Sequence, residues 1–210
     1  KIIPYGLNEN SYPKLNEDKL EYWKNRFGEK FFLFVGAFRY YKGLHTLLEA
    51  AHTTSLPIVI VGGGGIENEI KSKAKALSLS NVHFAGPLPD EDKVALLKLC
   101  TAIVFPSHLR SEAFGITLLE GAMYGKPLIS CEIGTGTSFI NLDRQTGFVI
   151  PPNDHIKLRE VMQTLYVNSE LVEQYGLNAY TRFKSLFTSE KMLIDYSDLY
   201  KEIYLDFKTK

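Results

Sequence analysis

Residues 31–43 read FFLFVGAFRYYKG: five apolar residues in a row, a glycine, then an arginine, a lysine and a second glycine. An apolar run without alternation suits a strand covered on both faces. The glycine at its end lets another backbone or a ligand approach, and the cations after it project from a strand-to-helix turn. Working outward, further strand-like runs occur at 57–61 (PIVIV), 82–84 (VHF), 102–105 (AIVF) and 127–130 (PLIS), and 147–150 (GFVI) adds a sixth. Helical patterns lie between them, near 43–53, 66–76, 90–99 and 117–124. This alternation predicts an α/β fold, a doubly wound, Rossmann-like parallel sheet with right-handed crossovers. In such sheets ligands sit beyond the carboxyl ends of the strands, near the point where strand order reverses.

After Pro151-Pro152 the pattern turns helical at 154–166, 169–184 and 189–207, with Asp154 and Ser189 as expected N-caps. Tyr196, Tyr200 and Tyr204 recur every fourth residue of the last segment. Such a stripe serves either packing within the domain or an interface with another one.

Composition narrows the function. The chain has 210 residues, 45% hydrophobic and 23% charged, which is enough apolar material for a single large core. Lys plus Arg (24) balance Asp plus Glu (24), so nothing pulls the chain toward nucleic acid or anionic lipid. An anion must be held by a few placed groups. Cys100 and Cys131 stand beside apolar stretches and read as buried small residues rather than a disulfide framework. The histidines at 45, 52, 83 and 155 make no ligand cluster, and no metal site is expected. There is no signal peptide and no apolar run near the ~18 residues a membrane span needs.

Four segments carry chemistry. Gly36, Arg39 and Lys42 lead into a helix start at Gly43, and together they suit a diphosphate. Gly62–Gly65 lacks the third glycine of a dinucleotide fingerprint, so these glycines either crowd a ligand or turn the chain. Phe84-Ala-Gly-Pro-Leu88 resembles a rim loop that could meet a planar base. The strongest is Phe105-Pro-Ser107 followed by Glu112, Phe114-Gly115-Ile116 and Glu120, with seven residues between the two glutamates. Glu112 precedes a helix and suits either an N-cap or a ligand. Glu120 lies in an apolar stretch (LLEGAM), where a carboxylate needs donors. His108 and Arg110, just before Glu112, either reach the same place or are solvated loop residues.

Here the sequence resembles the GT-B glycosyltransferases of family 4, whose signature is a Glu-(seven residues)-Glu motif with Phe-Gly inside. The likeness runs in order through Ile3-Pro-Tyr-Gly6, Gly36…Arg39…Lys42-Gly43, Val61-Gly62, Phe105-Pro-Ser107, Glu112…Glu120 and Thr146…Asp154. It implies a single donor-binding, C-terminal GT-B domain over 1–210 with extra C-terminal helices. It also implies a retaining transfer of sugar from a nucleotide diphosphate-sugar, with no metal and no other cofactor. Arg39 and Lys42 would hold the diphosphate and stabilise the leaving group, and Glu112 the sugar hydroxyls. The backbone of Phe114, Gly115 and Ile116 would line sugar and phosphate, Glu120 would hold the ribose hydroxyls, and Leu88 and its neighbours would flank the base. Where many members carry Gly-Gly-x-x-Glu, this chain has Gly134-Thr-Gly136-Thr-Ser138, which would contact phosphate or sugar through N–H groups and hydroxyls. That version resembles bacterial enzymes of surface polysaccharide synthesis, of mannosyl or rhamnosyl type.

The opening KIIPYGL reads as mid-protein sequence, and we expect a fragment without the family's acceptor domain. The expected partners are a nucleotide-sugar donor and, through that domain, a glycan or lipid-linked acceptor. The expected location is cytoplasmic, with peripheral membrane association open for the full-length enzyme. Such a fragment should bind donor nucleotide weakly and transfer nothing alone, since catalysis needs both substrates in one geometry. The rivals are an NAD-type oxidoreductase domain, which the incomplete glycine fingerprint disfavours, and a non-catalytic nucleotide-binding module. An epimerase or phosphorylase shares the fold class.

Overall fold

A computed structural model describes residues 1–208. Among them six strands form one sheet: β1 (Phe32–Val35), β2 (Ile58–Val61), β3 (Val82–Gly86), β4 (Ala102–Phe105), β5 (Leu128–Cys131) and β6 (Gly147–Ile150). All neighbours are parallel, in the order β3-β2-β1-β4-β5-β6. The order reverses between β1 and β4, where Phe32 is registered with both Ile58 and Ala102. The expected doubly wound sheet is therefore present, each strand within about two residues of its predicted ends.

The helices are α1 (Glu17–Phe27), α2 (Leu44–His52), α3 (Glu67–Ala76), α4 (Asp90–Leu99), α5 (Ile116–Met123), α6 (Gly136–Ile140), α7 (His155–Val167), α8 (Ser169–Leu186) and α9 (Ser189–Lys208). Alternate strand residues feed two separate cores. Phe32, Phe34, Ile60, Val104 and Ile129 pack under α2, α3 and α7. Leu33, Val59, Ile103, Phe105 and Leu128 pack under α4, α5 and α8. The central strands β1, β2 and β4 are covered on both faces and apolar at every position, and this is why their runs were readable, whereas β3 carries His83 and β5 carries Ser130. Cys100 and Cys131 are free, buried thiols, one in each core.

Two helices were not anticipated. In α1 only Trp23 is buried, and its indole N–H donates to Asp92 Oδ1 at 2.8 Å. Lys19 reaches Asp92 Oδ2 at 3.1 Å, so a buried carboxylate on α4 anchors this otherwise polar helix. Helix α6 is a single short turn.

Asp154 caps α7 as expected, its Oδ1 accepting from the Lys157 N–H at 2.8 Å. Asp154→Ala should lower stability by about 1 kcal/mol, measured by urea unfolding. The expected cap at Ser189 lies one residue too late. Thr188 Oγ1 accepts from the Lys191 N–H at 3.2 Å, and the Thr188 carbonyl accepts the first helical bond, from Met192. Thr188 is held there by Leu7, whose carbonyl accepts from the Ser189 N–H at 2.9 Å. No residue of α9 is buried, and Tyr196, Tyr200 and Tyr204 are 41%, 66% and 57% exposed. The tyrosine stripe is thus not part of the described core. No helix among the described residues is long and apolar enough to cross a membrane.

Candidate functional site

The helix starts at the carboxyl edge of the sheet differ in charge. Carboxylates in a first turn complement the positive end of a helix, and so occupy the place an anion would take. Helix α3 carries Glu67 and Glu69 there, and α4 carries Asp90, Glu91 and Asp92. Helices α2 and α5 follow β1 and β4, the two strands at the reversal, and carry no acid in their first turns. Their N-caps are Gly43 (φ 73°) and Gly115 (φ 99°), and no side chain caps either helix. Thr117 Oγ1 donates to the Val35 carbonyl at 3.3 Å, fixing the start of α5 against the end of β1. Two uncapped, acid-free helix ends therefore share the switch point.

Lys42 and Glu112 meet there. The Lys42 ammonium donates to Glu112 Oε2, and Ser107 Oγ donates to the same oxygen at 3.1 Å. The two side chains are only 13% and 10% exposed. The Lys42 ammonium also sits 4.8 Å from the centroid of the Phe105 ring. Glu112 is not an N-cap, since its carboxylate goes to Lys42 and Ser107 instead. Gly43 makes this approach feasible: a Cβ there would lie 2.0 Å from the Pro106 carbonyl oxygen. The His108 N–H donates to the Tyr41 carbonyl at 2.9 Å, so the 40–43 turn and the 106–112 loop are fastened together. Arg39, at the head of that turn, is exposed, and its guanidinium has no partner among the described residues.

Glu120, 6% exposed, sits on α5. Its Oε1 accepts from Lys93 Nζ at 2.9 Å and from the Tyr12 hydroxyl at 3.0 Å. Lys93 also bridges to Asp90 at 3.0 Å. Burial pulls the Lys93 pKa down, but Glu120 and Asp90 outweigh it and the net shift is upward. Burial first, then Glu120, raises the Tyr12 hydroxyl well above its ordinary value. Both groups thus stay proton donors at neutral pH.

Gly36 and Leu88 line a 570 Å³ cleft with Gly62, Gly63, Asp90 and Lys93. Ile116, half exposed, lines a 400 Å³ cavity with Tyr12, Asp90 and Lys93. The two cavities thus share Asp90 and Lys93. Gly62 and Gly64 chiefly admit the chain's own backbone. A Cβ at Gly62 would lie 2.0 Å from the Gly36 carbonyl oxygen, and one at Gly64 would lie 2.7 Å from that of Phe38.

Gly136 does not face a ligand as the sequence suggests. The Gly136 N–H donates to the Ala113 carbonyl at 3.0 Å, so it is not offered to a phosphate or sugar. Gly136 instead leaves room for Phe114, whose ring would lie 2.4 Å from a Cβ there. Phe114 itself packs edge-on to Phe187 at 6.4 Å. Arg110 donates to the Gly134 carbonyl at 2.8 Å, tying the same two loops. His108 is buried, and desolvation followed by nearby His45 lowers its pKa. Among the described residues no His, Cys, Asp and Glu side chains gather as a metal-holding group.

Lys93 and Tyr12 carried no functional signal in the sequence. A lysine on a helix surface reads as solvated, and Tyr12 lies in an irregular segment. The acid-free starts of α2 and α5 were legible and would have pointed to the switch point.

A family model described as "Glycosyl transferases group 1" matches residues 17–182. The chain is 55% identical over 199 residues to the O-antigen chain mannosyltransferase C of Escherichia coli, covering 95% of this chain and 53% of that protein. It is 55% identical over 189 residues to the D-rhamnosyltransferase WbpZ of Pseudomonas aeruginosa, covering 90% of this chain and 50% of that one. The chain thus spans about half the length of these curated relatives. Among solved structures, Alr3699/HepE from Anabaena, in complex with UDP and glucose, superposes with a TM-score of 0.84. Its sequence is 19% identical, over 96% of this chain and 56% of that one.

Proposed function

The chain belongs to the group 1 glycosyl transferases, and on that premise we propose that it is the donor-binding half of a retaining, GT-B glycosyltransferase of bacterial surface polysaccharide synthesis. The donor is a nucleotide diphosphate-sugar, and the acceptor is a glycan or lipid-linked glycan. The acceptor side belongs to a further domain, in keeping with relatives about twice as long.

The observation that carries this reading is the Lys42–Glu112 contact between two uncapped, acid-free helix starts at the strand-order reversal. A diphosphate entering here takes charge-assisted hydrogen bonds from Lys42 and Arg39 and from the N–H groups of α2 and α5. Glu112, relieved of part of its hold on Lys42, accepts from the sugar's hydroxyls. Leu88 and Gly36 flank the base in the 570 Å³ cleft. Glu120 accepts from the ribose, and Gly115 and Ile116 border sugar and phosphate.

In the transfer the bond from the anomeric carbon to the diphosphate oxygen breaks, and its electron pair leaves with the diphosphate. The acceptor hydroxyl oxygen bonds to the same face of that carbon, and its proton passes to the departing phosphate oxygen. Lys42, Arg39 and the helix ends stabilise the charge developing on the leaving group. The relatives named for mannose and for D-rhamnose support a donor sugar of manno configuration, since these sugars differ only at the C6 hydroxyl.

Calorimetric titration of the 210-residue chain with UDP, GDP and NAD tests the assignment. Binding of one nucleoside diphosphate and not of NAD is expected. Tight NAD binding, or binding of neither diphosphate, would overturn it.

A further inference from the structure

We infer that Lys93 and Tyr12 are positioning residues for Glu120, holding one carboxylate oxygen so that the other is presented to a ribose hydroxyl of the bound nucleotide. This rests on the donor-site reading above and adds to it two residues that come from opposite ends of the domain's amino-terminal half.

Both donors converge on Oε1, at 2.9 and 3.0 Å. Oε2 carries no hydrogen bond among the described residues, yet it is not among the side-chain atoms that are both sealed from solvent and unpartnered. A carboxylate this buried, satisfied on one oxygen only, calls for a donor on the other. The place is right for a ligand to supply it. Lys93 lines both cavities, the one bordered by Gly36 and Leu88 and the one bordered by Tyr12 and Ile116.

The division of labour follows from the chemistry. A carboxylate on a flexible two-methylene stem would otherwise rotate between its donors. Two fixed donors on one oxygen stop that rotation and leave the other oxygen as the acceptor. The Lys93 Nζ also lies 5.5 Å from the centroid of the Tyr12 ring, so the two donors hold each other in place.

The test compares UDP and GDP with the 2′,3′-dideoxy form of each, by calorimetry on the 210-residue chain. On the base that binds, the unaltered chain should prefer the ribo form about 10- to 100-fold, the range for a hydrogen bond to a charged group. Tyr12→Phe and Lys93→Met should each cut that preference about fivefold, while Lys93→Arg should retain most of it. In a Glu120→Gln background the preference should be gone, and adding Tyr12→Phe should change nothing more. Thermal unfolding checks that each variant is folded. If the unaltered chain binds ribo and dideoxy forms equally, the donor-site assignment of Glu120 falls, and this inference with it. If the preference is present but survives both Tyr12→Phe and Lys93→Met, only this inference falls. It also falls if those variants weaken both forms equally and leave the ratio intact.

Discussion

Lys42→Ala is expected to weaken nucleoside diphosphate binding about 100-fold, the loss of a strong charge-assisted contact, and, in a form of the protein that also carries the proposed acceptor domain, to lower kcat about 1,000-fold. It should also destabilise the domain. Lys42 and Glu112 are both nearly closed to solvent, and without the ammonium the carboxylate keeps only the Ser107 hydroxyl. Removing one partner of such a pair costs about 3 kcal/mol, since the remaining charge is stranded. The two effects can be separated. Glu112→Gln added to Lys42→Ala removes the stranded charge and should recover most of the stability in urea unfolding, but none of the binding. Unchanged affinity in Lys42→Ala would show that Lys42 is a structural counter-ion only.

Gly43→Ala is expected to be nearly as damaging without removing any functional group. Two penalties combine: a left-handed φ of 73° and a Cβ placed 2.0 Å from the Pro106 carbonyl oxygen. The backbone must shift, by an amount that corresponds to about 3–5 kcal/mol in the tail of mutational effects. What moves is the seam between the Lys42 turn and the Glu112 loop, so nucleotide affinity should fall together with stability. Gly125→Ala is the control. Its φ of 65° is also left-handed, but a Cβ there comes no nearer than 3.8 Å to another residue's atoms, at the Gly176 carbonyl oxygen. It should show the backbone strain alone, about 1 kcal/mol, with binding intact. Equal losses at both positions would mean that the Pro106 contact is not what matters.

The central strands β1, β2 and β4 were legible because burial on both faces keeps their positions apolar, and α2 to α5 were legible from their spacing between strands. Helix α1 was missed although Leu20, Trp23 and Phe27 recur at i, i+3 and i+7 and pack against the core: EDKLEYWKNRF is mostly polar otherwise and lies ahead of the first strand rather than between two. The site was legible as residue types but not as contacts. Lys42 and Glu112 stand 70 residues apart and meet because β1 lies beside β4, a fact of strand order. Gly136 shows the converse error. A glycine-rich turn looks like a ligand cradle until its N–H is found on Ala113 and its missing Cβ is found to seat Phe114. Tyr12 and Lys93 were hidden because their meaning is relational, set by a carboxylate 108 and 27 residues away.

The two thiols have a practical consequence. A cysteine reacts as its thiolate, and burial pushes Cys100 up to about 11 and Cys131 up to about 12. Near neutral pH neither is alkylated while the sheet is covered. One lies beneath each layer of helices, so the molecule carries a pair of built-in clocks: the order in which they take up reagent tells which side of the sheet comes away first.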